Sequence, residues 1–196
     1  MQTRLKDRKE QIVSTALSLL QTHGYENFSY LDIAKQLGIT KASIHHHFPK
    51  KSDLGVALCD SIQLWHESAF IKILAMPCSA PLKLEHYING MLKFACGDNK
   101  ICPLSSLQAD IALLPQEMRV ALKALDEHEL VFITKVLEEG IKQGYMSFEG
   151  CAQHQAMIVV LTCKGALQYS RLHGEHFYQQ SITQLNNLLS TTVKTD

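Results

Sequence analysis

The sequence predicts an all-α chain of about nine helices, the first three forming a small head and the remainder a larger body. Three observations carry this reading. Apolar residues recur at intervals of three and four and hardly ever at two, so strand patterns are almost absent. Glycines 24, 38, 144 and 174 fall where the periodic runs stop, and prolines 81, 103 and 115 fall where new ones begin. A length of 196 residues with 46% hydrophobic content is enough for a sizeable core.

The elements follow in order. Ile12, Ala16, Leu19 and Leu20 predict a first helix over about 7–23, closed by Gly24. Ser29-Tyr30-Leu31-Asp32 has the S-x-x-D form that caps a helix start, and Ile33, Ala34 and Leu37 carry that helix to Gly38. Thr40 can cap a third helix over 41–47, which Pro49 keeps short. A fourth starts near Ser52 and runs through Leu54, Leu58, Ile62 and Trp65 to Met76-Pro77. Pro81 opens a helix to Cys96, Pro103 one to Leu114, and Pro115 a long one to Gln143-Gly144. Helices over about 151–173 and 175–192 complete the set. The expected division is a head of residues 1–51 and a body of 52–196.

Charge separates the two parts. Residues 1–51 hold eight Lys/Arg against four Asp/Glu, and the remainder holds eleven against fifteen, although the whole chain is neutral. A basic head on an acidic body points to a polyanion partner for the head. Apolar runs such as AMIVVLTC at 156–163 are far shorter than a membrane span of roughly 18–20 residues. The charged start MQTRLKDRKEQIV has no apolar signal core, and the six cysteines form no CxxC pair. Reduced thiols and a cytoplasmic location are expected.

Within the head, Gly38-Ile39-Thr40 is a short turn between two short helices, with glycine where the backbone needs a positive φ. Ala34 lets the helices cross closely, and Ile33, Leu37, Ile39 and Ile44 supply the apolar faces between them. This is the pattern of a helix-turn-helix, which lays its second helix in the DNA major groove.

The stretch from Ile12 to Leu58 resembles the N-terminal domain of the TetR family of transcriptional regulators. The matching residues are His23-Gly24-Tyr25, Asp32-Ile33-Ala34, Gly38-Ile39-Thr40 and Phe48-x-x-Lys51-x-x-Leu54. The resemblance implies a DNA site made of Ser29, Thr40, Lys41, Ala42, Ser43, His45, His46, His47 and Lys51. Of these, Lys41, Ala42, Ser43, His45 and His46 would face the groove, and Ser29, His47 and Lys51 would hold phosphates. It further implies a homodimer on a palindromic operator, acting as a repressor that a small effector releases. Two positions depart from the pattern: His45 stands where the family usually has tyrosine, and Leu31 where a polar residue is common.

The triplet His45-His46-His47 is a poor chelator, because successive helical residues point about 100° apart and no pair within it has i, i+3 or i, i+4 spacing. Its expected use is on DNA, with His46 at base edges and His45 and His47 at phosphates. In the body, Ala152, Ala156, Val159, Val160, Cys163, Ala166 and Leu167, with Phe177, Ile182, Leu185, Leu188 and Leu189, could pair with a second copy or form the chain's own core. Effector-lining candidates are Trp65, Tyr87, Met91, Phe94, Cys102 and Tyr169. No buried acid or arginine stands out as an anchor, so a small apolar or electrophilic effector is expected. Cys102 precedes Pro103 at a helix start and lies two residues from Lys100, a setting that favours thiolate. NKICPLSSL also resembles the region where an electrophile-sensing, NemR-like subgroup places a cysteine. That subgroup uses a lysine on the second-last helix, where Ser170 or Arg171 falls here. No cofactor motif, catalytic cluster or metal set is evident. The competing reading is a helical metal-binding or enzymatic protein with a DNA-like head.

Overall fold

The computed structural model describes the backbone of residues 2–95 and 100–190 and the side chains of residues 8–92 and 100–190. Among them are nine α-helices: α1 Gln2–His23, α2 Tyr30–Leu37, α3 Lys41–His47, α4 Lys51–Leu74, α5 Ala80–Ala95, α6 Pro103–Ala109, α7 Gln116–Lys142, α8 Ala152–His173 and α9 Glu175–Leu189. The proline and glycine signals place nearly every boundary within a residue or two. Two boundaries differ more: α1, expected from about residue 7, starts at Gln2, and α6, expected to reach Leu114, stops at Ala109. Asp110 is used elsewhere there: its Oδ2 accepts a hydrogen bond from Tyr25 N at 3.0 Å, and tight turns follow at Ile111 and Leu113. Extended pairing among the described residues is limited to a bridge between Met146 and Ser190.

The chain divides into two units, residues 1–65 with 103–125, and residues 66–102 with 126–196. The first has a core of Ile12, Ala16, Leu20, Phe28, Ile33, Ile44, Leu54, Leu58, Leu104, Leu107 and Met118, all buried. Here α6 packs against α1, and Ser106 Oγ donates to Leu20 O at 2.9 Å. Two segments distant in sequence are thereby built around one core. The second unit is centred on Phe70, Leu84, Tyr87, Phe132, Ile133, Val136, Ala156, Val159, Val160, Cys163, Leu167 and Leu185. No helix among the described residues is long and apolar enough to cross a membrane.

Candidate nucleic-acid interface

Helix α2 begins where it does because the Asp32 carboxylate reaches back, accepting from Ser29 N at 2.8 Å and Ser29 Oγ at 2.7 Å. The Ser29 hydroxyl bond, then the backbone bond, holds Asp32 below its ordinary range. The helix ends at Gly38, whose φ of 62° is left-handed, and Ile39 N then donates to Ala34 O at 3.0 Å. Two residues later Thr40 Oγ1 accepts from Ser43 N at 3.2 Å and opens α3. Ile44 turns inward and is buried, which leaves Lys41, Ala42, His45 and His46 exposed on the outer face. Ser43 and His47 are half-buried.

The base of α3 is clamped. The Tyr30 hydroxyl lies 2.8 Å from Phe48 O and 2.7 Å from Lys50 O, so one buried phenol ties α2 to the α3–α4 junction. Burial, with Asp53 beside it, pushes that phenol up to about 12, so it remains a donor. Lys50 N donates to Asp53 Oδ2 at 2.8 Å and caps α4.

The expected phosphate ligands are differently placed. The Ser29 hydroxyl already gives its proton to Asp32. Lys51 is half-buried, its Nζ 4.7 Å from the Tyr25 ring centre, 4.9 Å from that of Phe28 and 3.5 Å from Glu26 O. Burial lowers its pKa against the opposing pull of Glu26 and Asp110. Lys51 therefore serves the head's aromatic packing as well as its charge. His47 lies beside His46, with ring centres 5.4 Å apart, and is lowered first by burial, then by His46, Lys9 and Arg8. Leu31, which stands where the family commonly has a polar residue, is exposed on α2.

Residues 12–58 match the family described as "Bacterial regulatory proteins, tetR family". A TetR-family regulator from Agrobacterium tumefaciens superposes with a TM-score of 0.90 at 28% identity, over 95% of this chain and 99% of that one. Residues 12–58 thus carry a TetR-family DNA-binding domain, and the chain shares the fold of a TetR-family regulator over most of its length. AibR, solved with isovaleryl coenzyme A and operator DNA, shares the fold at a TM-score of 0.72 and 20% identity, over 93% and 98% of the two chains. Among curated relatives, the nucleoid occlusion factor SlmA of Pasteurella multocida is 22% identical over 94% of each protein. The repressor NemR of Escherichia coli is 21% identical over 94% of this chain and 95% of its own. Two differently named relatives at nearly equal identity leave the subgroup open.

The body contains a buried acid that its sequence did not single out. Glu129 on α7 is 2% exposed. The Tyr87 hydroxyl donates to its Oε1 at 3.0 Å, and Lys164 Nζ lies 2.8 Å from its Oε2, a charge contact off the line of a good hydrogen bond. Lys164 also donates to Asp126 Oδ1 at 3.0 Å. Burial opposes the charge on Lys164, but Glu129, Asp126 and the Cys102 thiol together raise its pKa. An aromatic group adjoins this cluster: Phe70 and Phe132 stack at 4.1 Å, and His66 and His128 lie 4.9 and 5.4 Å from Phe70. The missed signal was spacing along α7, since Asp126 and Glu129 at i, i+3 share a helix face, and on α8 Lys164 follows the buried Cys163.

Of the effector candidates, Tyr87 is part of this cluster, Met91 lies in the same core and Cys102 is half-buried within electrostatic reach of Lys164. Trp65 and Tyr169 are more exposed. Trp65 is 39% exposed, and Tyr169 is 59% exposed, stacked with His173 and Phe177. The Phe94 side chain lies outside the described residues. The second-last helix, α8, does carry a lysine, Lys164, six residues before Ser170. Cys163 is an inert thiol, pushed up to about 12 first by burial and then by Glu129. No group of three or more His, Cys, Asp or Glu among the described residues could hold a metal ion.

The α8 set proposed to pair with a second copy instead faces the chain's own core: Ala152, Ala156, Val159, Val160, Cys163, Ala166 and Leu167 are all buried. The outward stripe carries Met157, Ile158, Leu161 and Leu172, with Leu188 on α9.

Proposed function

We propose that this protein is a homodimeric repressor that reads a palindromic operator with α3 and is released by a small effector in its body. The observation that carries the reading is α3 itself, which buries Ile44 against the head and turns Lys41, Ala42, His45 and His46 outward together. The apolar stripe on α8 and Leu188 on α9 support the dimer. Leu161 and Leu172 are 66% and 81% exposed, which suits a face covered by a second copy. Selection of bound duplexes from a random pool tests the proposal, with sedimentation giving the oligomeric state. A recovered palindrome bound by a dimer is expected. Recovery of no sequence, or of one unrepeated half-site by a monomer, overturns it.

The effector reading centres on Tyr87, Glu129 and Lys164. Burying an ion pair costs several kcal/mol per ion before partners repay it, as a rough guide, and an all-apolar core avoids that cost. A site with this cluster suits an effector whose apolar part meets the Phe70 and Phe132 region and whose polar group competes for Glu129 or Lys164. A second reading, sensing of an electrophile, rests on the electrostatic reach between Cys102 and Lys164. Unchanged release of the Cys102→Ser variant from operator on titration with an electrophile removes that second reading.

A further inference from the structure

His45 occupies the position where the sequence pattern leads one to expect tyrosine, and its surroundings constrain it more than exposure on a recognition helix suggests. Its ring stands edge to face on Tyr30, with centres 4.7 Å apart and planes at 68°. Tyr30 cannot yield, because it is buried and its hydroxyl is held by Phe48 O and Lys50 O. On its backbone side, His45 Nδ1 lies 3.4 Å from Pro49 O.

That contact favours one tautomer. A carbonyl oxygen can only accept, so the approach is favourable when Nδ1 carries the ring proton. The neutral imidazole then has its lone pair on Nε2, at the ring corner away from the backbone. An acceptor at that corner cannot bond a phosphate oxygen. In the major groove it meets a complementary donor only at the exocyclic amines, N6 of adenine and N4 of cytosine. Guanine and thymine offer acceptors there. A tyrosine hydroxyl at the same place both donates and accepts, and so discriminates less.

We infer that His45 is a specificity-determining residue that reads an adenine or cytosine amine through Nε2, in place of the phosphate contact expected from sequence. The inference rests on the proposal that α3 lies in the major groove. It assigns His45 a base preference that the pattern tyrosine does not impose.

The test uses the full-length protein and its selected operator at pH 8 and constant salt. Each adenine is replaced in turn by N6-methyladenine and each cytosine by N4-methylcytosine, which occupy the major-groove hydrogen while retaining pairing. 2-Aminopurine serves as a methyl-free control for adenine. Affinity is read by fluorescence anisotropy for the parent protein and for His45→Ala, whose fold is checked by circular dichroism. The expected result is one position per half-site at which losing the amine costs the parent roughly 3- to 10-fold and costs His45→Ala almost nothing. Equal losses in both proteins at every position overturn the inference. So does a loss in His45→Ala that is uniform across sequences and lowers the salt slope by about one, which marks a phosphate contact. Failure of the selection to yield any operator is a different result and sinks the DNA-reading proposal itself.

Discussion

The head and the body use polar side chains in opposite ways. On α3 a single residue, Ile44, is buried, and Lys41, His45 and His46 are exposed to solvent, where each can be exchanged at little cost to the fold. In the body, Glu129, Lys164 and Tyr87 are taken out of water together, each depending on the others. Exposed groups that await a partner contribute to binding and little to stability. Buried groups that already have partners do the reverse, so variants in the two regions should separate affinity from stability.

The largest effect belongs to the body. Lys164→Met leaves Glu129 and Asp126 without their cation, and the variant should lose about 3–5 kcal/mol of unfolding free energy in urea. Lys164→Met combined with Glu129→Gln should recover part of that loss, because the orphaned buried charge is gone. A single-variant loss below about 1 kcal/mol, the size expected of a surface pair, would erase the contrast between the regions.

The next effect depends on pH and again belongs to the body. Burial is the main cause that lowers His66 to about 4, with Glu129 pulling it up and Lys164 and His128 pushing it down. In the unfolded chain the ring titrates near 6.5. Above that pH both states hold it neutral and stability is complete. As pH falls from 6.5 toward 4 only the unfolded chain gains the proton, so stability drops by about 3 kcal/mol. Urea midpoints across that window measure it, and His66→Phe should flatten the profile.

The head should answer through affinity alone. Lys41 is exposed on α3, so Lys41→Glu should weaken operator binding roughly 10-fold or more and lower the salt slope by about one. Its urea midpoint should match the parent's to within about 0.5 kcal/mol. Retained duplex binding by a folded variant would mean that α3 does not meet DNA.

How much of this was legible beforehand follows the same contrast. The head could be read almost residue by residue, because capping, the left-handed Gly38 and the i, i+4 apolar set are local rules that act within ten residues. Long-range partners were not legible. Nothing local says that Asp110 ends α6 by bonding Tyr25 N, or that Glu129 meets residues on α5 and α8. The α8 stripe shows a third limit: periodicity identified an amphipathic helix, but both of its faces carry apolar residues, and only packing shows that Val159 and Cys163 point inward while Leu161 points out. Lys51 and Ser29 were identified as part of the head, yet the cation–π contacts and the Asp32 bond that engage them appear only in three dimensions.

The smallest effect concerns His47 and joins the head to pH. In the free protein, burial first and then His46, Lys9 and Arg8 disfavour its charged form. A phosphate brought close favours that form, so operator binding raises the pKa of His47 and takes up part of a proton. Affinity is then highest where the free ring is already charged and falls as pH rises through the free and then the bound pKa. Between about pH 6 and 8 the fall should stay well under one decade per pH unit, since one partly engaged group cannot exceed that slope. His47→Gln should flatten the profile while His45→Ala leaves it in place, measured by anisotropy at fixed ionic strength. A profile unchanged by His47→Gln would place the proton uptake elsewhere on the head and remove His47 from the phosphate contacts.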